Sequence, residues 1–378
     1  MIYFDYNATA PVMREAREAW LSVTEKLGGN PSSMHQAGTR AAIVLAEARE
    51  KLAAFLGCHP LDLVWTSGAT EANNTVMHHF AARLAPTERV FVSAIEHPCV
   101  DESSKFYFGK RVKTIPVTRE GVVDLDWLTS ELADARPGLV AVMAANNETG
   151  VLQPWREILA ICQAYDIPFF TDAVQYLGKQ PGKGLGDCSY VSGAAHKFGG
   201  PRGVGFLKVP HRSQLTPLLL GGKQEGGRRA GTENVPIIAA MIAALEMREK
   251  QMFRSEHLLR KVWRDNFEAQ FLRALPGATI LGQNQPRLWN TVSALMPEGD
   301  RKSQWVVRLD KAGFAVSTGS ACTTGKEEPS HVLSAMGYKS AQAMRAVRFS
   351  AGWETYEADW EALLKAILKV HADMQHKG

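Results

Sequence analysis

Short apolar runs alternate with helical patterns through the first two-thirds of the chain, and this alternation restricts the fold more than any other feature. The runs are Leu63-Val64-Trp65-Thr66, Val90-Phe91-Val92, Leu139 to Met143, Ile167 to Phe170, Tyr190-Val191 and Val204 to Val209, each followed by polar or glycine-rich residues. Ala16 to Leu27 and Thr39 to Leu56 read as amphipathic helices, the second rich in Ala, Glu and Leu. Strands interleaved with helices predict an α/β fold with a parallel or mixed sheet covered on both faces. Ligands in such sheets gather at the carboxyl ends of the strands.

At 378 residues the chain exceeds one ordinary domain, so two closely packed lobes are expected. A long helical stretch from Ile237 to about Leu275, with a break inside it, leads out of the sheet domain. Beyond it lie a strand (Thr291 to Met296), a helix near Ser303 to Ala312, strands at Phe314 to Ser317 and Val347 to Ser350, and a closing helix from Tyr356 to His371. The expected division is a large domain of residues 15–250 and a smaller α/β domain of residues 1–14 with 251–378.

Composition removes several function classes. Hydrophobic residues make up 45% and charged residues 22%, as in a soluble enzyme-sized protein. The net charge of +4 is scattered along the chain, too weak a signal for nucleic acid but no obstacle to an anionic cofactor. The five cysteines are widely spaced and form no CxxC pair or Cys/His cluster, so no metal site is expected and a reducing cytoplasm fits. The N-terminus shows no secretory signal pattern, and no apolar run approaches the roughly 20 residues that span a bilayer.

Six sites carry chemistry. Ser67-Gly68-Ala69-Thr70-Glu71 follows a strand and opens a helix, where free N–H groups make a phosphate cradle; an ordinary N-cap by Thr70 or Ser67 is the plain alternative. Lys197 lies between His196 and a double-glycine turn, where partial burial would lower its pKa toward that of an amine nucleophile. Asp172 sits just past an apolar strand, as does His97, which can stack on a flat ring or move protons. The run from Gly221 to Asn234 is a basic, glycine-rich loop suited to anion contact or to a subunit boundary. Arg348, on a strand of the smaller lobe, could pair bidentately with a carboxylate.

The fifth cysteine, Cys322, stands apart from the rest. It lies in Ser317-Thr318-Gly319-Ser320-Ala321-Cys322-Thr323-Thr324-Gly325, a run of small and hydroxylated residues that cannot bury a core. That predicts a mobile loop, at about 318–330, presenting a thiol.

Together these segments resemble the cysteine desulfurases of the class V aminotransferase family, with the fold-type I pyridoxal-phosphate architecture, which implies a large domain with a mixed, mostly parallel sheet flanked by helices plus a smaller α/β domain. The likeness runs from Asp5-Tyr6-Asn7-Ala8-Thr9 to Arg348-Phe349-Ser350. It takes in Ser67 to Asn74, Asn146-Asn147-Glu148-Thr149-Gly150, Thr171-Asp172-Ala173-Val174-Gln175, His196-Lys197, Arg229 to Asn234 and Ser320-Ala321-Cys322. The cysteine loop is similar to that of the group serving iron–sulfur cluster assembly and nitrogenase.

The resemblance implies that Lys197 holds pyridoxal 5'-phosphate as a Schiff base and shuttles the Cα proton, with His97 stacked on the ring. It implies that Asp172 pairs with the pyridine nitrogen and Gln175 with the phenolic oxygen. Ala69, Thr70 and His196 would bind the phosphate, with Thr232 reaching in from the other subunit of a homodimer. Asn147 and Arg348 would hold the carboxylate of L-cysteine, assisted by Asn7, and Asn147 would also touch the cofactor. Cys322 would accept sulfur as a persulfide for a sulfur acceptor or iron–sulfur scaffold protein.

Relatives carry a phosphate-binding serine where this chain has Ala194, a loss on the order of 1–3 kcal/mol. Ser192 is the neighbouring candidate to compensate. The N-terminal motif also departs from the family, ending in Ala10. A selenocysteine lyase, a class V transaminase and a catalytically silent scaffold are the competing readings.

Overall fold

The computed structural model describes residues 1–298, 302–318 and 329–375. Among them, seven strands form one sheet in the order Leu63–Thr66, Gly205–Lys208, Tyr190–Ala194, Phe169–Asp172, Leu139–Ala141, Val90–Ser93 and Val112–Ile115. Gly205–Lys208 runs antiparallel to both neighbours, and the other pairings are parallel. The expected mixed, mostly parallel sheet is present.

Each apolar run serves two cores at once, because successive strand residues point to opposite faces. Leu63, Trp65, Phe91, Val140, Phe169, Val191 and Phe206 join one cluster. Their neighbours Val64, Val90, Val92, Leu139, Ala141, Phe170, Tyr190 and Leu207 join the other. Helix Gln36–Leu56 covers the first face with Ala41, Leu45, Ala48 and Leu52, a stripe at helical spacing. Gly57 ends that helix in the left-handed conformation (φ 78°), where its N–H caps Ala53 O at 2.8 Å. Helix Ala69–Ala81 covers the second face with Ala72, Val76, Met77 and Phe80.

Val112–Ile115 was not legible as a strand. It is the sheet's outer edge, and Lys113 interrupts the apolar run there, as edge strands often arrange. The run read as Ile167 to Phe170 pairs only from Phe169, after Pro168, and continues to Asp172. That shift places a carboxylate on the carboxyl edge of the sheet.

The helical stretch beyond the sheet divides into Val235–Phe253 and Glu256–Ala274, with Ser255 at φ 57° in the break. A second, antiparallel sheet pairs Thr291–Leu295 with Ala346–Ser350 and with Thr279–Ile280. The N-terminus returns to this body: Ile2–Tyr3 runs parallel to Phe314–Ala315, and Phe4 packs edge-on to Trp360 at 4.7 Å. Phe4, Phe267, Phe271, Val292, Phe349 and Leu363 share one core. Within it the buried Arg287 donates twice to Glu268, both at 2.7 Å, so neither charge is left uncompensated. Among the described residues no helix is long and apolar enough to cross a membrane.

Phe4 is fully buried, so a truncation there leaves a cavity where the N-terminal strand meets the C-terminal core. Phe4→Ala is expected to cost about 3–5 kcal/mol, read as a lower midpoint in urea unfolding. An unchanged midpoint would show that the N-terminal segment contributes nothing to this core.

Candidate active site

The carboxyl edge of the large sheet opens onto a cavity of about 460 Å³. Four strand ends deliver its chemistry. Leu63–Thr66 leads to Ser67–Thr70, Val90–Ser93 to His97, Phe169–Asp172 ends on Asp172, and Tyr190–Ala194 leads to His196 and Lys197. Asn147 and Gln175 also line it.

Helix Ala69–Ala81 begins at this cavity, and no side chain caps it. Its first N–H groups therefore have no intrahelical partner and face the opening, which suits an anion. The ordinary N-cap by Thr70 or Ser67 is not formed. Instead Ser67 N donates to Glu71 Oε2 at 2.8 Å, and Arg229 pairs with Glu71 at 2.9 Å.

Asp172 is buried and held on both oxygens. Asn73 Nδ2 donates to Oδ2 at 2.7 Å and Val174 N to Oδ1 at 2.9 Å. His97 caps helix Pro98–Phe108, its Nδ1 accepting from Cys99 N at 3.2 Å, which assigns the proton to Nε2. Burial lowers the His97 pKa, and the nearby Asp172 carboxylate opposes that shift. The adjacent Cys99 thiol is pushed up to about 12, chiefly by burial, and so stays protonated.

Lys197 Nζ donates to the carbonyls of Asn7 at 2.7 Å and Ala8 at 2.9 Å. Burial, followed by the charge of Arg348, lowers its pKa to about 8. The amine is thus poised for nucleophilic and acid–base chemistry near neutral pH. His196 is lowered to about 4, chiefly by burial and next by Lys197, and its Nδ1 lies 3.2 Å from Thr9 Oγ1.

Gln175 Nε2 donates to Asn7 O at 2.8 Å, while its Oε1 accepts from Lys179 Nζ at 2.6 Å. Lys179 is buried beneath the site, and burial drives its pKa well down. With Oε1 engaged, Gln175 keeps its second Nε2 hydrogen for an acceptor in the cavity.

Thr70, His97, Asn147, Asp172, Gln175, His196, Lys197 and Ala69 all line this one cavity. Asn7 and Arg348 do not. Asn7 sits behind the wall, and Arg348 Nη2 pairs with Asp5 at 2.6 Å while Nη1 donates to Asn147 O at 2.9 Å. Thr232 is exposed and away from the cavity of its own chain. Cys322 and most of the loop at 318–330 lie outside the described residues. Ser192 is fully buried and, like Ala194, does not line the cavity.

Three contributors escaped the sequence reading. Asn73 was legible in principle, one turn beyond Ala69 on the helix that starts at the cavity. Arg202 lies in the Gly-Pro-Arg-Gly turn five residues after Lys197, and Lys179 lies four residues after Gln175 in the turns that follow the strand.

These parts suit a flat, anionic-tailed ring bearing an aldehyde. The uncapped helix start could take the anion, Asp172 could face a ring nitrogen, the donor of Gln175 could reach a ring oxygen, and the Lys197 amine could attach to the aldehyde carbon.

The chain is similar to known proteins along nearly its whole length. The chain is 36% identical to the cysteine desulfurase IscS of Dictyoglomus turgidum over 374 residues, covering 98% of this chain and 94% of that one. It is 36% identical to the cysteine desulfurase NifS of Azotobacter vinelandii over 384 residues, covering 99% and 94%. The solved structure of a NifS-like protein from Rickettsia africae superposes with a TM-score of 0.88 at 31% identity, covering 98% of this chain and 99% of that chain. The model of the class-V aminotransferases matches residues 2–363, and the chain belongs to that family.

Proposed function

We propose that the protein is a pyridoxal-phosphate-dependent cysteine desulfurase that converts L-cysteine to L-alanine and passes the sulfur to Cys322. The observation that carries this reading is the placement of Lys197, an amine with a pKa of about 8, in one cavity with Asp172 and an uncapped helix start. The curated desulfurases that align over nearly the whole chain supply the substrate class.

When bound, the cofactor supplies an electron sink for the charge left at Cα after proton loss. Asp172 would keep the ring nitrogen protonated, and Asn73 and Val174 N hold that carboxylate in place. Lys197 would attach the cofactor and, once displaced by substrate, take the proton from Cα. His97 would stack on the ring, its imidazole held by the bond from Cys99 N to Nδ1. Arg348 and Asn147 would orient the substrate carboxylate, with Asn7 fixing the position of Asn147 through its Nδ2 at 3.1 Å.

In the transfer step the Cys322 thiolate attacks the substrate sulfur, the Cβ–S bond breaks, and an S–S bond forms. Cysteine and the Cys322 thiol thereby become alanine and the Cys322 persulfide, with the carbon reduced and the sulfur oxidised. The persulfide is then carried to an acceptor such as an iron–sulfur scaffold protein. This reading includes a cytoplasmic homodimer in which Thr232 completes the partner's phosphate site. It also divides the chain into a large domain of residues 15–250 and a smaller one of residues 1–14 with 251–378. The separate core shared by Phe4, Phe267 and Phe349 supports that division.

Cys322→Ala is expected to bind the cofactor normally and to release no sulfide from L-cysteine in the presence of a dithiol. Sulfide production at the wild-type rate would contradict the assignment and favour a transaminase or a selenocysteine lyase.

The lowered pKa of Lys197 gives a second outcome. Below pH about 8 the side chain is an ammonium without a free electron pair, and above it a free amine. The rate at which cofactor-free protein takes up pyridoxal phosphate, followed by absorbance, is expected to rise with pH and level off above about 8. A rise centred near about 10.4, where an ordinary lysine titrates, would show that the amine is not desolvated as described.

A further inference from the structure

Gly205–Lys208 is the antiparallel strand of the sheet, so its beginning faces the ends of its neighbours. Gly205 pairs with Thr66 on one side and Ala194 on the other. A Cβ on Gly205 would meet the Gly68 Cα at 2.8 Å, so the entry to this strand lies directly against the start of helix Ala69–Ala81. Arg202, Gly203 and Val204 therefore share the cavity wall with Ser67, Gly68 and Thr70.

At that end of the cavity positive charge is scarce. His196 titrates at about 4 and is neutral near pH 7, and burial likewise favours the neutral form of His97. Lys197 is engaged with two carbonyls and would be consumed by attachment to the aldehyde. Arg229 is paired with Glu71. Arg202 is in no ion pair among the described residues, and its charge reaches His196, where it adds to the lowering that burial causes, and Tyr3, where it opposes the rise that burial causes. A phosphate monoester carries close to two negative charges at neutral pH, more than a helix terminus of about half a charge offsets.

We propose that Arg202 is the cationic partner of the cofactor's 5'-phosphate, docking it against the uncapped start of helix Ala69–Ala81. The assignment rests on the cofactor reading above. It gives a physical answer to the missing hydroxyl at position 194. In place of that hydroxyl, the phosphate would be held by a guanidinium from the opposite strand entry.

The test is a titration of cofactor-free wild type, Arg202→Gln and Arg202→Lys with pyridoxal phosphate and, separately, with pyridoxal, which has the aldehyde but no phosphate. Bound chromophore is followed by circular dichroism. Arg202→Gln is expected to weaken pyridoxal phosphate about tenfold, the worth of one charge-assisted hydrogen bond, and Arg202→Lys less. Pyridoxal should bind all three proteins alike.

Equal weakening for both ligands would overturn the proposal, because the phosphate would not be what Arg202 reads. Unchanged cofactor affinity with a raised KM for cysteine would also overturn it, assigning Arg202 to the substrate carboxylate instead. Wild-type protein taking up neither compound would defeat the cofactor reading, and this proposal with it.

Discussion

Asn7 is the point on which the site's geometry hangs. Its carbonyl accepts from Lys197 Nζ and from Gln175 Nε2, at 2.7 and 2.8 Å. Its Nδ2 donates to Asn147 O and Thr291 Oγ1, its Oδ1 accepts from Asn290 Nδ2, and its N–H donates to Ser350 Oγ. One buried residue near the N-terminus thus fixes the amine, the amide that faces it and the second sheet together. A buried asparagine with every group engaged costs little to keep and much to disturb. Phe4, three residues earlier, anchors this segment in the C-terminal core, so the hydrophobic packing of that body sets where the amine points.

The site is also built to be short of charge until an anion arrives. Burial lowers Lys197 to about 8 and His196 to about 4, and raises the carboxyl of Glu96 to about 8. Glu96 stands behind His97, where its Oε1 accepts from Ser93 Oγ at 2.5 Å and Met143 N at 2.7 Å. These shifts share a cause, desolvation by the sheet edge and the bodies packed against it. In that setting fixed dipoles and the few remaining charges act strongly.

Much of this was legible in the sequence, for a definite reason. Thr70, His97, Asp172 and Lys197 each follow an apolar run that became a strand, so their meeting at one edge follows from the parallel arrangement. What could not be read depends on chain reversals and distant contacts. Nothing local marks Gly205–Lys208 as antiparallel, and Arg202 reaches the cavity only because of that reversal. Lys113 hid the edge strand. Arg348, expected to meet substrate, is held by Asp5 and the Asn147 carbonyl, contacts spanning 343 and 201 residues of chain.

Two lysines with lowered pKa values lie close together, yet only Lys197 lines the cavity, while Lys179 is buried beneath Gln175. The account therefore depends on which amine meets the aldehyde. Borohydride reduction of the cofactor-loaded protein, followed by proteolysis and mass spectrometry, decides it directly. The account predicts the pyridoxyl group on the peptide containing Lys197. Finding it on Lys179 or on a surface lysine, with Lys197 unmodified, would contradict it.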